Sequence, residues 1–295
     1  MQRSAVSFPS LGSLASFVRL SLCVLCVVPS CKDTTKISKE RAAAHVGFLA
    51  ETIKKDVEEV RKGLPSGADV LGAALKSDAT ALTDPKAASH ALEEARRKVQ
   101  DLRIAKSTFF ALADANGAIV RNDQEQDRMA GHSFFASFPA LAEAKTRYVE
   151  TSGSMPEASG VRAPRPDGQW VAAAPVRVDG ETKGVYVTGW SWSAYAYRLE
   201  FALRGRIRSE LMGKTGEKEP LIYVYMVVGK ATYGAPVSPE VNMKAIADLD
   251  PLSQTKGDEV FSTTVDVTGR AFGLAVKRTS DAGQDVAVAV LRSET

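Results

Sequence analysis

Apolar residues at Val46, Leu49, Ile53, Val57, Val60 and Leu64 recur at intervals of three and four, which predicts a helix with one buried stripe. Glu51 with Lys55 and Glu58 with Lys62 place i,i+4 charge pairs on its wet side. Gly63, Pro65 and Gly67 predict its end. Asp84-Pro85 supplies an N-cap and a first-turn proline for a second helix, striped by Ala88, Leu92, Ala95, Val99 and Leu102. Stripes this narrow suit a sheet or a partner helix, and packing within the chain is expected.

From Thr108 the period changes. Phe109–Ala113 reads as a strand, Asp114–Gly117 as a tight turn and Ala118–Asn122 as the returning strand. Phe134–Lys145 reads as a short helical segment. Residues 151–169 hold three prolines and three glycines, the composition of a long loop that would serve as a lid. Trp170–Val178 and Gly184–Trp190 flank an Asp179-Gly180 turn and predict a second hairpin. Ser193 caps a third helix with Tyr195, Leu199, Leu203, Ile207 and Leu211 on one side. The order then recurs: a strand over Leu221–Val228, a Gly229-Lys230 turn, a helix over Pro239–Leu249, and strands near Val260–Val267, Ala271–Lys277 and Val286–Leu291. The expected class is α+β, with long N-terminal helices followed by two antiparallel-sheet modules.

Composition narrows the picture. Across 295 residues, 44% are hydrophobic and 25% charged, which excludes disordered and polytopic membrane chains. Arg3 and Arg19 are the only charges in the first 30 residues. Removing that segment lowers the formal charge from +3 to +1, which argues against a nucleic-acid partner. Leu20–Val28 is apolar but too short to span a bilayer, and it fits the core of a secretory signal. Val28-Pro29-Ser30-Cys31 resembles a bacterial lipobox, which would make Cys31 the lipidated first residue of the mature chain. Val28 stands where Leu is commoner, and Pro29 is unusual there. By analogy with bacterial lipoproteins, Lys32 after that cysteine favours the outer over the inner membrane. Cys23 and Cys26 would leave with the signal, so no thiol would remain for a disulfide or a thiolate metal site.

The segments FFALADANGAIVRNDQEQDRMAGHSFF (109–135) and GQWVAAAPVRVDGETKGVYVTGWS (168–191) resemble an extracellular Cache domain, the exported relative of the PAS sensor fold. The resemblance is carried by Asp114, Gly117, Gly131, Ala173, Pro175, Val176, Gly180, Gly184 and Val185, and covers residues 108–192. The second half resembles the family by element order, in a tandem arrangement. The expected organisation is a signal peptide over 1–30, a tether and helices over 31–107, a first module over 108–192, a connecting helix over 193–213 and a second module over 214–295.

The resemblance implies a non-enzymatic, ligand-binding sensor; an aromatic wall with arginines would suit a small polar ligand of the amino-acid or carboxylate class, although the amino-acid-binding signature of some tandem Cache domains is not clearly present. The chain carries no signalling segment, so output would go through an envelope signalling partner or a homodimer. An interaction or scaffold lipoprotein that has lost its ligand is the alternative. Trp170, Tyr186 and Trp190 fall on strands that line the pocket in relatives. Arg121, Arg128, Arg147 and Arg162 are basic candidates for a carboxylate, and Asp123 and Asp127 suit an amine. Tyr148 and His132 complete the candidate ligand contacts. That reading requires a cavity between the first sheet and residues 151–169.

Other chemistry is weakly signalled. Asp123, Glu125 and Asp127 suggest calcium, but Arg128 and Phe134 stand where an EF-hand loop needs Gly and Glu. Gly213-Lys214-Thr215 lacks the upstream glycine of a P-loop, where Arg208 stands. His45, His90 and His132 would all have to converge, or carboxylates replace them, to make a zinc site. No Gly-x-Ser-x-Gly elbow is present. The chain is therefore expected to use no cofactor, no metal and no catalytic residue.

Overall fold

The computed structural model describes residues 34–158 and 167–294. The apolar run before Cys31, Cys31 itself, Arg162 and residues 159–166 of the expected lid lie outside the described residues.

The first stripe forms as predicted: Val46, Leu49, Ile53, Val57, Val60 and Leu64 are all fully buried. Their helix, α1, does not stop at the glycines. It runs over Thr34–Ser77, 44 residues, or about 66 Å. Gly63 and Gly67 serve close approach instead of termination. A Cβ at Gly63 would meet Leu102 at 2.8 Å, and one at Gly67 would meet the Tyr186 ring at 2.7 Å. Pro65 forfeits one backbone hydrogen bond, a loss that packing along both sides of it outweighs. Helix α2 (Pro85–Lys98) opens as expected, with Asp84 Oδ1 accepting from the Lys86 amide at 3.0 Å. A short α3 (Gln100–Ile104) brings Leu102 against α1.

The first sheet contains β1 (Phe109–Asp114), β2 (Ile119–Asn122), β3 (Val149–Gly153), β4 (Gln169–Val178) and β5 (Glu181–Ser191), in the order β2-β1-β5-β4-β3. Strand β3 corrects the loop expected from residue 151. Its sequence, VETSG, has no alternating pattern, because an edge strand is held by its backbone pairing with β4. Between β2 and β3 lie α4 (Phe134–Ser137) and a 3₁₀ segment over Pro139–Lys145. The β4–β5 turn places Asp179 at φ 51° and Gly180 at φ 86°, the pair of left-handed residues that a tight hairpin needs.

Helix α5 (Trp192–Leu211) begins one residue before the expected cap; Ser191, not Ser193, accepts from the Ala194 amide. The second sheet contains β6 (Leu221–Val228), β7 (Ala231–Gly234), β8 (Val260–Val267), β9 (Arg270–Arg278) and β10 (Val286–Ser293), in the order β7-β6-β10-β9-β8. Helices α6 (Glu240–Ala247) and α7 (Pro251–Gln254) lie between β7 and β8. The two sheets therefore share one topology, each with its helical cover inserted after its second strand.

Helix α1 spans both sheets. Near its start Ser38 and Lys39 press on Gly273 of β9, and near its end Gly72 abuts the Arg177 carbonyl of β4. One apolar core joins α1, α2 and α5 to the inner faces of both sheets. A separate outer layer covers each sheet on its far side.

Candidate functional site

Strand alternation decides which candidates meet. On β1, β4 and β5 the residues Phe110, Leu112, Trp170, Ala172, Ala174, Tyr186 and Trp190 belong to the inner core. Their neighbours Phe109, Ala111, Val171, Ala173, Val185 and Val187 form the outer layer under α4. Trp170, Tyr186 and Trp190 thus face α1 and not the side that α4 covers. Trp170 and Trp190 are directly opposed in the β4–β5 pairing and stack at 4.2 Å, and Tyr195 stacks on Trp190 at 4.5 Å.

The outer layer is filled by side chains. Phe109, Met129, Phe134, Phe138, Leu141 and Met155 are each at most 1% exposed. Phe134 stands 6.2 Å from Phe109 and 6.5 Å from Phe138, centroid to centroid. A Cβ on Gly117 would meet the Phe135 ring at 2.5 Å, and one on Gly153 would meet Phe138 at 2.7 Å. Among the described residues, apolar side chains occupy the space expected to receive a ligand.

The remaining candidates scatter. Arg121 donates to the Gln124 carbonyl at 2.9 Å and stands 3.5 Å from Asp127, lacing the turn after β2. Asp123 accepts from the Phe110 amide at 2.8 Å and pairs with Arg96 at 2.6 Å; burial raises its pKa despite both contacts. Arg128 and His132 are exposed, and His132 Nδ1 lies 4.0 Å from Glu157. Tyr148 donates to Glu150 at 2.9 Å, and burial raises its pKa strongly.

Tyr148 and Trp170 are brought together by a feature with no signal in the sequence. Arg61, on α1, grips Glu150 of β3 with two hydrogen bonds of 2.6 and 2.9 Å. The same guanidinium donates to the Asp281 carbonyl, in the β9–β10 loop, at 2.8 Å. A crevice of about 210 Å³ opens here between the two modules, bounded by Arg61, Glu150, Ser152, Trp170, Asp281 and Gln284. A second crevice of about 450 Å³ shares Ser152 and is lined by Asp167, Trp192 and Tyr233. Asp167 Oδ1 accepts from the Ser193 amide at the start of α5, and burial raises its pKa. Behind the Trp170–Trp190 stack, Asp56 of α1 accepts from Tyr195 at 2.8 Å and pairs with Arg198. Polar and charged groups from both modules therefore converge on α1 at their junction. Arg61, Glu150 and Asp281 are separated by 89 and 220 positions, so no local spacing could have linked them.

No protein-family model matches the chain, and no curated protein is similar to it in sequence. The extracellular domain assigned to the histidine kinase vpHK1S-Z8 superposes with a TM-score of 0.56 at 10% identity, covering 88% of this chain and 92% of that one. A domain assigned to a sensory box/GGDEF family protein of Vibrio parahaemolyticus does so with a TM-score of 0.52 at 11% identity, over 89% and 98%. The chain has the fold of Cache-like sensory domains. The ligand-binding domain of the amino-acid chemoreceptor PctC from Pseudomonas aeruginosa, in complex with GABA, is more distant, with a TM-score of 0.48 at 16% identity over 89% and 100%. Among the described residues of this Cache-like chain, no helix is long and apolar enough to cross a membrane, and no His, Cys, Asp or Glu cluster could hold a metal.

Proposed function

We propose that this chain is a periplasm-facing sensory or binding protein, lipid-anchored at Cys31, that holds a small polar ligand at the junction of its two modules. The observation that carries the reading is the Arg61 crevice. It is the place where a fixed cation, two carboxylates and an indole from separate parts of the fold surround an open space. A guanidinium there suits a carboxylate, and Glu150 or Asp281 suits an amine. In this reading Trp170 is the aromatic ligand contact, backed by Trp190, and Tyr148 steadies Glu150, to which it donates. Arg121, Asp123, Arg128 and His132 lie elsewhere and are not part of this site. A ligand bridging the modules would bias their packing on α1, and a partner in the envelope would read that change. Lys32 after the anchor favours the outer membrane.

Calorimetry with amino acids, carboxylates and amines tests the ligand. Saturable binding in the wild type that is lost in Arg61→Met supports the site, since Met keeps the aliphatic stem and removes the charge. Heat of binding unchanged by that substitution would place the ligand elsewhere. Metabolic lipid labelling with and without Cys31→Ser tests the anchor.

The filled outer layer of the first module favours a second reading, an envelope interaction protein that kept the fold and lost the ligand. Under it the Arg61 contacts are only a clamp, no compound binds, and cross-linking finds a protein partner through the helices.

A further inference from the structure

At the junction of the modules, Asp167 carries a charge that nothing offsets. Its residue is 7% exposed. Its hydrogen bonds come from the Ser193 amide and from the hydroxyls of Ser191 and Ser193, all neutral donors. Among the described residues no cation pairs with it, and no lysine, arginine or histidine lines its crevice of about 450 Å³. Glu150 and Asp281 differ, since both already face Arg61. A buried carboxylate without a counter-charge is costly, so this space favours a cation.

The walls suit an ammonium. A Cβ at Gly168 would stand 2.9 Å from Tyr233 Oη and 3.0 Å from Trp192 Cδ1, so a hydroxyl and an indole meet over bare backbone beside Asp167. Indole and phenol rings attract a cation and offer nothing to a second carboxylate.

This crevice also continues into the one at Arg61. Ser152 lines both. On the first-module side, Ser152 opposes Trp170 in the β3–β4 pairing, and Ser154, just beyond β3, donates to the Asp167 carbonyl at 3.2 Å. On the second-module side, the Gly229 amide donates to the Asp285 carbonyl at 2.8 Å, which joins the β9–β10 loop to the end of β6 that bears Val228. From Glu150, held by Arg61, to Ser154, tied to Asp167, the extended chain advances about 13 Å. A free α-amino acid, with one carbon between its amine and its carboxyl group, cannot reach both ends. Three or four extended residues, at about 3.3–3.6 Å each, can.

We propose that the Asp167 crevice is an ammonium subsite and that the junction ligand is an extended amino-carboxylate, of the class of a three- or four-residue peptide with free ends. Its amine meets Asp167, Tyr233 and Trp192, and its carboxylate lies towards Arg61. This rests on the ligand site proposed at the junction and narrows its chemistry.

Calorimetry on the whole mature chain tests it. Glycine, triglycine and tetraglycine read length, and N-acetyltriglycine and triglycine amide read the two ends. Triglycine or tetraglycine binds saturably and more tightly than glycine. Acetylation, which removes the amine's charge, weakens binding by about tenfold to a hundredfold, the usual worth of one charged hydrogen bond. Asp167→Asn keeps an oxygen for the Ser193 amide, and in it free and acetylated triglycine bind alike. Arg61→Met keeps the acetylation penalty and loses the amidation penalty. The proposal fails if no peptide binds, if glycine binds as well as triglycine, or if acetylation costs nothing in the wild type, a comparison that needs no variant to fold. It also fails if Asp167→Asn leaves the acetylation penalty unchanged. Binding of a simple carboxylate that is lost in Arg61→Met, with none of any peptide, would overturn this inference and leave the junction site intact. Amidation without effect, while acetylation still weakens binding, would overturn the Arg61 site and leave the Asp167 subsite.

Discussion

The two sheets have the same strand order and the same insertion point for their helical cover, yet their outer layers were built to opposite specifications. Over the first sheet, Phe134 presses its ring onto Phe109, Phe138 packs on Phe134, and the layer closes without a polar side chain at its centre. Over the second, Ile246 and Leu252 share the cover with the buried polar side chains of Tyr225, Ser238 and Asn242. A shared topology therefore leaves the polarity of each outer layer open, and the side chains of the inserted helices decide it.

The largest effect that tests this contrast is Phe134→Ala. Losing a fully buried ring from a closed layer costs about 3–5 kcal/mol, read by urea denaturation. A cost under about 1 kcal/mol would mean that the layer already has room, and the contrast would break.

The modules should also answer pH with opposite signs. His45, packed by α1 against the second sheet, lies 3.2 Å from Arg292 and 3.5 Å from Glu210, with Arg206 nearby. Burial first, then Arg292, lowers its pKa below 6.5, and Glu210 opposes them. Its stability contribution is complete above 6.5 and is lost as pH falls through the lowered folded value. Asp123 and Asp167 in the first module have values raised above 3.8 by burial. Their contribution is complete below 3.8 and is lost as pH rises through the raised folded values. His45→Gln should flatten the melting temperature just below pH 6.5, and Asp123→Asn should flatten the limb starting near pH 3.8. Finding both substitutions acting on the same limb would overturn the assignment.

Arg61→Met sharpens the comparison by loosening the junction alone. The pair with Glu150 is bidentate but partly exposed, so the loss is about 1 kcal/mol, seen as a lower urea midpoint. Denaturation monitored through Trp170, Trp190 and Trp192, which lie at the junction, would show whether the modules then unfold in separate steps. The smallest effect belongs to Ser191→Ala, which removes the cap that joins the first sheet to α5 and costs about 0.5–1 kcal/mol by the same assay.

Much of the fold was legible because it is local. The α1 stripe, the Asp84-Pro85 cap, the Asp179-Gly180 turn and the strands other than β3 and β7 each follow from residues a few positions apart. Strand β3 was not, since an edge strand held by backbone pairing leaves little trace in its side chains. The end of α1 was misjudged because Gly63 and Gly67 answer to Leu102 and Tyr186, residues far along the chain. The aromatic candidates illustrate the same limit at the site. Their strands were recognised, but the choice between two faces of a sheet depends on where α1 and α4 dock.

From residues alone came the α+β class and the two successive sheet-forming halves, because periodicity, caps and turns act over a few positions; the likeness to sensory domains came from the resemblance of residues 108–192. Only the assembled structure decided that the first module's outer layer is closed, that Arg61 joins Glu150 to Asp281, and that Ser238 and Asn242 meet the buried Tyr225 of the second module. Those are outcomes of packing between distant segments, where the free energy of burying or pairing a group depends on neighbours that no short stretch of sequence contains.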